Sequence, residues 1–183
     1  WKVFRKTNHD EDYFNVVALR EGADETKSYG FKCTNNGRHI LIARRCGWTF
    51  MNVHAESGGH RAERDHREKQ IQQMCRMHEG QGDRICVLAG DFNVRQGEDT
   101  PLRSEGWRDV WCEVPGMNAS HSGSWTYHHR HRDHSGRYDR VYVHDSTSSV
   151  VESVRMEDID NVWGDLSDHK PLRVVVRRKP RAS

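Results

Sequence analysis

Short apolar runs, broken by Gly, Asn or charge, dominate the first third of the chain. Residues 13–19, 39–43 and 48–53 are apolar or β-branched and read as three sheet strands, buried on both faces where the runs are continuous. Asn35-Asn36-Gly37 supplies a turn signal between two of them. The pattern changes over residues 59–79, which lack Pro and are rich in Arg, Glu, Gln and Met. There Glu63/Arg67 and Asp65/Lys69 stand four apart, as a solvated helix face places them, and Ile71, Met74, Cys75 and His78 form a narrow inner stripe. Residues 84–89 read as a buried strand that stops abruptly at Gly90-Asp91. From 93 to 136 the composition is loop-like, with Trp107 and Trp111 as anchors. Strand character returns at 137–143, 150–156 and 171–178, followed by a basic tail. Strands, a helix, then strands joined by long loops predict an α/β layered sandwich, whose catalytic residues belong on loops at strand ends.

Length and composition narrow this picture. At 183 residues the chain accommodates one domain with a real core, spanning 1–183, and is short for two. Charged residues make up 31%, but six Trp among the aromatics support a packed interior rather than a disordered chain. A formal charge of +2 excludes a protein that simply coats nucleic acid, so an anionic partner must be met by local charge. The 13 His add positive charge in mild acid. Five scattered Cys without a CxxC pair point to reduced thiols in an intracellular compartment, nucleus or cytoplasm, rather than to disulfides or a zinc site. No apolar run approaches the ~20 residues of a membrane span, and no signal peptide is visible. A monomer without a membrane partner is expected.

Three clusters stand at strand ends. Gly90-Asp91-Phe92-Asn93 follows an apolar strand: the carboxylate suits orienting or deprotonating water, and the amide suits donating to a phosphoryl oxygen. Alone, this tetrapeptide reads more readily as a turn closing a strand. Leu166-Ser167-Asp168-His169 precedes the last strand, and a His beside a carboxylate stays protonated and stabilises phosphate charge, though a surface turn has the same look. In His54-Ala55-Glu56-Ser57, Ser57 with Gly58 and Gly59 either faces an anion at a helix N-terminus or simply caps the helix. Asp139, in Arg137-Tyr138-Asp139-Arg140, pairs with a neighbouring Arg or His in a structural role. Together the clusters favour a site for phosphate chemistry. The His-rich stretch over 127–134 has no metal-ligand spacing and reads as a solvated basic loop. Trp125 before it either stacks on a nucleobase or packs in the core.

The order of these clusters resembles the endonuclease/exonuclease/phosphatase superfamily. The segment His54-Ala55-Glu56-Ser57-Gly58-Gly59-His60-Arg61-Ala62-Glu63-Arg64 is most similar to the tyrosyl-DNA phosphodiesterase type 2 group, which carries His-Leu-Glu-Ser followed by Gly-His-x-Ala-Glu-Arg. Trp125-Thr126 and Tyr13-Phe14 fit the same group, and the resemblance runs over nearly the whole chain. It implies a four-layer αββα sandwich of the DNase I-like kind and Mg²⁺-dependent (alternatively Mn²⁺-dependent) hydrolysis of phosphoester bonds. By that resemblance Asp91 positions and activates water, and Asn93 and His169 hold the scissile phosphate. His54 and Ser57 line the phosphate pocket, Trp125, Arg38 and Tyr13 flank a DNA strand, and Asp168 orients His169 near the metal. The implied substrate is a DNA 5′ end linked through phosphate to tyrosine.

Two early motifs of that family, a Thr-x-Asn segment and a Gln-Glu segment whose Glu binds Mg²⁺, have no counterpart here. Glu21 in Leu19-Arg20-Glu21 stands too close to His54 and is expected at a solvated edge. A chain lacking the N-terminal strands of the sandwich, with apolar surface left open, is therefore expected. Three functions follow: a phosphodiesterase acting on DNA ends, an exonuclease or other phosphoesterase of the same fold, or a catalytically silent module that still binds nucleic acid.

Overall fold

The computed structural model describes residues 1–5, 15–79, 85–113, 125–129, 134–144, 149–156 (backbone only) and 167–179. Its centre is a six-stranded sheet. In chain order the strands are β1 (Lys2–Arg5), β2 (Val16–Leu19), β3 (Glu25–Gly30), β4 (His39–Arg45), β5 (Trp48–His54) and β6 (Ile85–Asp91). Then come β7 (Arg108–Asp109), β8 (Tyr127–His128), β9 (Ser135–Gly136), β10 (Asp139–His144), β11 (Ser149–Met156) and β12 (Leu172–Arg178). The main sheet runs β3-β4-β5-β6-β10-β7. Within it β5 and β6 are parallel, joined through helix α1 (Arg61–Cys75), while the other pairs are antiparallel.

Alternation along β5 explains the layering. Thr49, Met51 and Val53 are buried, whereas Trp48, Phe50, Asn52 and His54 are half-buried on the opposite face. Met51 and Val53 join Ile40, Ile42, Leu88 and Tyr142 in a core closed by Ile71, Met74 and Cys75 of α1. Against the other face, Trp48, Val87 and Val141 pack beside Leu172, Val174 and Val176 of β12. On that same face Asn52 Nδ2 donates to the Val16 carbonyl at 2.7 Å, tying down the β1–β2 pair. Among the described residues the second β layer thus consists of two separate pieces, β1–β2 and β11–β12. Between the helix and these pieces lies the main sheet, the α/β sandwich expected. Phe50, Val87 and Val141 on the second face are only half-covered.

Several elements depart from expectation for local reasons. β3 was not anticipated: Glu-Thr-Lys-Ser-Tyr-Gly is an exposed edge strand held by its backbone ladder to β4, so it shows no apolar alternation. The helix begins at Arg61 and ends at Cys75 in a 3-10 turn over Arg76–His78. Arg67 does not lie on a solvated face. It is fully buried and binds Glu98, because the loop over 95–99 folds across that side of α1. The loop-like stretch contains a short helix, α2 (Thr100–Ser104), and Trp107 and Trp111 are buried as anchors. None of the five cysteines forms a disulfide within the chain. No helix among the described residues is long and apolar enough to cross a membrane.

Candidate active site

Strand register assembles the site. His54 ends β5, Asp91 ends β6 and Asp139 begins β10, and the register pairs His54 with Asp91 and Asp91 with Asp139. Neighbouring strands lie roughly 4.8 Å apart, so three residues distant in sequence form one row. Gly90 makes the central step possible. A Cβ built there would meet the Val53 carbonyl oxygen at 1.9 Å, and its φ is +139°. The missing side chain thus admits the neighbouring strand's backbone.

Just past the strand, Asn93 takes a left-handed conformation with φ 51°. Its backbone N–H donates to Asp91 Oδ1 at 2.8 Å, and its side-chain amide donates to Asp91 Oδ2 at 3.1 Å and to the Ala55 carbonyl at 3.2 Å. The amide expected to hold a phosphoryl oxygen is thus turned onto the carboxylate it precisely orients in this conformation. A bound phosphate has to compete for it.

Electrostatics separate the titrating groups. Burial, reinforced by the Asp139 charge, pushes the Asp91 carboxyl up to about 6. Burial and then the Arg38 guanidinium push the His54 ring down to about 4. Arg38 Nη1 lies 3.0 Å from His54 Nδ1. Because guanidinium only donates, Nδ1 is the acceptor and the proton of the neutral ring sits on Nε2, 3.4 Å from Asp91 Oδ2. His169 behaves oppositely. Burial disfavours its charge, but the 2.7 Å bond from Nδ1 to Asp139 Oδ2, with the charges of Asp139, Asp91 and Asp168, raises it above its ordinary value. Near neutral pH the site therefore holds an ionised Asp91 and a neutral His54, beside a His169 that holds its proton more strongly than an ordinary histidine.

A cleft of about 410 Å³ brings Arg38, His54, Ser57, Asp91, Asn93, Asp168 and His169 together. Several positions differ from expectation. Arg38, expected to flank a DNA strand, lines the cleft but is largely buried against His54, and its Nη2 lies 3.5 Å from Ser57 Oγ. Ser57 does not cap the helix; His60 occupies that position without a side-chain cap bond. Asp139, not Asp168, makes the carboxylate contact that orients His169, since the row places it beside the ring. Trp125 lies outside the residues lining the cleft, with Lys170 Nζ 3.7 Å from its ring centroid. Tyr13 falls outside the described residues.

Sequence reasoning passed over four contributors. Asp139 was assigned only a structural pairing. Buried Thr126 accepts from the backbone N–H groups of Tyr138 and Asp139 at 3.1 and 3.0 Å, fixing the start of β10. Tyr127, which bridges to His169 with ring centroids 4.9 Å apart, and Arg95 both line the cleft. The signal for Arg95 was its place two residues after Asn93; nothing local marked Tyr127. As for a metal, Asp91, Asp139 and Asp168 supply carboxylates, but no three His, Cys, Asp or Glu among the described residues converge as ligands. The described residues do not by themselves fit a complete metal centre.

Comparison with known proteins places this geometry. The chain is similar to a Danio rerio TDP2 humanised by 14 mutations, with TM-score 0.81 and 20% identity over 96% of this chain and 76% of that one. It is likewise similar to D. rerio TDP2 complexed with a single-strand DNA product, with TM-score 0.80 and 21% identity over the same shares. Truncated Caenorhabditis elegans TDP2 gives TM-score 0.73 and 18% identity over 93% and 73%. At these identities the likeness is one of fold. No curated protein matches the chain. The sequence pattern of the Endonuclease/Exonuclease/phosphatase family matches residues 6–169, and the chain belongs to that family.

Proposed function

We propose that this chain is a phosphodiesterase acting on phosphoester bonds at DNA ends, with 5′-phosphotyrosyl adducts as its substrate class. One observation carries the reading: Asp91 and His169, the latter bonded to Asp139, face one cleft with His54 between Asp91 and Arg38. Asp91, its basicity raised by burial and its carboxylate held by Asn93, positions water and accepts its proton. His169, kept cationic by Asp139, stabilises charge on the scissile phosphate from Nε2. Ser57 and His54 line the phosphate side, and Trp125 with Lys170 offers an aromatic and cationic surface to a neighbouring base. D. rerio TDP2, of similar fold, is known in complex with a single-strand DNA product, which supports a nucleic-acid substrate. Asp168 is the carboxylate assigned to a divalent cation, Mg²⁺ or Mn²⁺, as part of an incomplete ligand set.

The test is release of 5′-phosphate from a 5′-phosphotyrosyl oligonucleotide with Mg²⁺ present. Turnover is expected, and Asp91→Asn is expected to lower it by roughly 10²–10⁴-fold, as loss of a positioned base does. The absence of a three-ligand group among the described residues favours one competing reading, a module that binds the oligonucleotide without hydrolysing it. Binding without turnover would establish that reading instead.

A further inference from the structure

Buried within the family-like segment is a carboxylate that the chemistry above leaves unused. Glu56 stands between His54 and Ser57 in sequence, yet its side chain points away from the cleft and is 0% exposed. It is enclosed by the loop that connects β3 to β4. Glu56 Oε2 accepts from Thr34 Oγ1 at 2.8 Å and from the Asn35 backbone N–H at 3.1 Å, while Oε1 accepts from the Asn36 side-chain amide. Thr34 Oγ1 relays the anchorage by accepting from the backbone N–H of Arg38 at 3.0 Å. From there the Arg38 guanidinium reaches His54 and Ser57.

The Glu56 backbone is itself held from behind. Gln70 of α1 accepts from the Glu56 backbone N–H at 2.9 Å and donates to the Cys33 carbonyl at 2.9 Å. Arg67 donates to the Glu56 carbonyl at 3.2 Å. One chain of contacts therefore runs from the helix through Glu56 to the loop and ends on the ring of His54. A buried carboxylate needs its accepting oxygens satisfied, and here all three donors come from a single loop.

We infer that Glu56 is the positioning residue of the phosphate pocket: it folds the loop over 34–38 so that Arg38 sits against His54 and Ser57. This rests on the phosphate-site reading given above but not on turnover. Glu56→Gln replaces one accepting oxygen by an NH2 group, which meets either the Asn36 amide or the Asn35 N–H whichever way it turns, so two donors face each other and the loop loosens. Arg38 then leaves His54, and phosphate binding weakens.

The test uses the full chain and a fluorescent 5′-phosphorylated oligonucleotide, with dissociation constants from anisotropy and the His54 imidazole followed by ¹⁵N NMR. Glu56→Gln is expected to weaken binding about tenfold, the scale of a lost hydrogen bond to a charged group. It is also expected to move the His54 Nδ1 resonance in the same direction as Arg38→Ala. In an Arg38→Ala background it should add little further, because both act through one contact. Thr34→Val, which cuts the relay while leaving Glu56 in place, is expected to shift the same resonance and covers the case in which Glu56→Gln does not fold. An unchanged His54 resonance in the folded variant, or additive losses with Arg38→Ala, would overturn the inference. A wild-type chain that binds but never hydrolyses would refute the enzyme reading and leave these two readouts intact.

Discussion

Asp91 is where stability and chemistry conflict. Its carboxyl rises from 3.8 to about 6 on folding, and its side chain is 16% exposed. A raised carboxyl contributes stability that is present below pH 3.8 and lost as pH climbs through about 6. At neutral pH the ionised group therefore costs about 3 kcal/mol by that linkage. Asp91→Asn is expected to unfold at higher urea than the wild type at pH 7.5, with the difference shrinking at pH 4; equal midpoints at both pH values would refute this. His54 has the opposite sign: its lowered pKa contributes stability above 6.5 that is lost as pH falls through about 4. For turnover, the acid limb of a bell-shaped profile is expected near pH 6 as Asp91 ionises, and the alkaline limb above 6.5 as His169 loses its proton. A profile rising steadily from pH 5 to 9 would exclude the cationic role of His169. Among these residues the identities of Asp91, Asn93, His54 and His169 were legible as strand-end clusters. The shifts at Asp91 and His54 were not, because they depend on Asp139 and Arg38, which only the fold brings near; for His169 the sequence offered a neighbouring carboxylate, but the one in contact is Asp139.

Elements hold these residues through contacts that local pattern does not reveal. The β5–β6 pair is parallel and tight enough at Gly90 that a methyl group would strike the Val53 carbonyl. Gly90→Ala is expected to destabilise by about 3 kcal/mol, combining backbone strain and steric overlap, and to displace Asp91. Thermal unfolding together with turnover checks it, and a variant of unchanged stability would mean that the two strands separate at little cost. On the helix, Arg67 is fully buried and joins Glu98 to the carbonyls of Glu56 and Gly58. Its four-residue spacing from Glu63 suggested an exposed ion pair, but the loop over 95–99 covers that face. Arg67→Ala leaves Glu98 and two carbonyls without this partner and is expected to cost about 3–5 kcal/mol. An exposed arginine would cost under about 1 kcal/mol, so chemical denaturation separates the two cases. The helix, β4, β5, β6 and β10 were visible from apolar runs. β3 was not, because an edge strand owes its place to backbone pairing rather than to buried side chains.

The whole molecule sets how charge meets a partner. Net charge is only +2, and Arg67, Arg103, Arg137 and Arg140 are each paired with Glu98, Asp99 or Asp109. Oligonucleotide binding is therefore expected to depend weakly on salt, with a log–log slope of about −2, as for two or three single-strand phosphates. A slope near −5, measured by anisotropy from low to high salt, would instead require a broad basic face. At this scale the sequence determined much on its own: the α/β class, the order of the apolar strands and the long helix, and the clusters that resemble the endonuclease/exonuclease/phosphatase family. These are local properties, written in apolar period and in residues adjacent along the chain. Tertiary structure alone decided that Asp139 rather than Asp168 orients His169, that Asn93 holds Asp91, and that Arg38 lies buried behind His54. Each of those contacts depends on register between strands or on a loop folding over another element. Registry is a cooperative outcome of packing, and no run of residues along one segment encodes it.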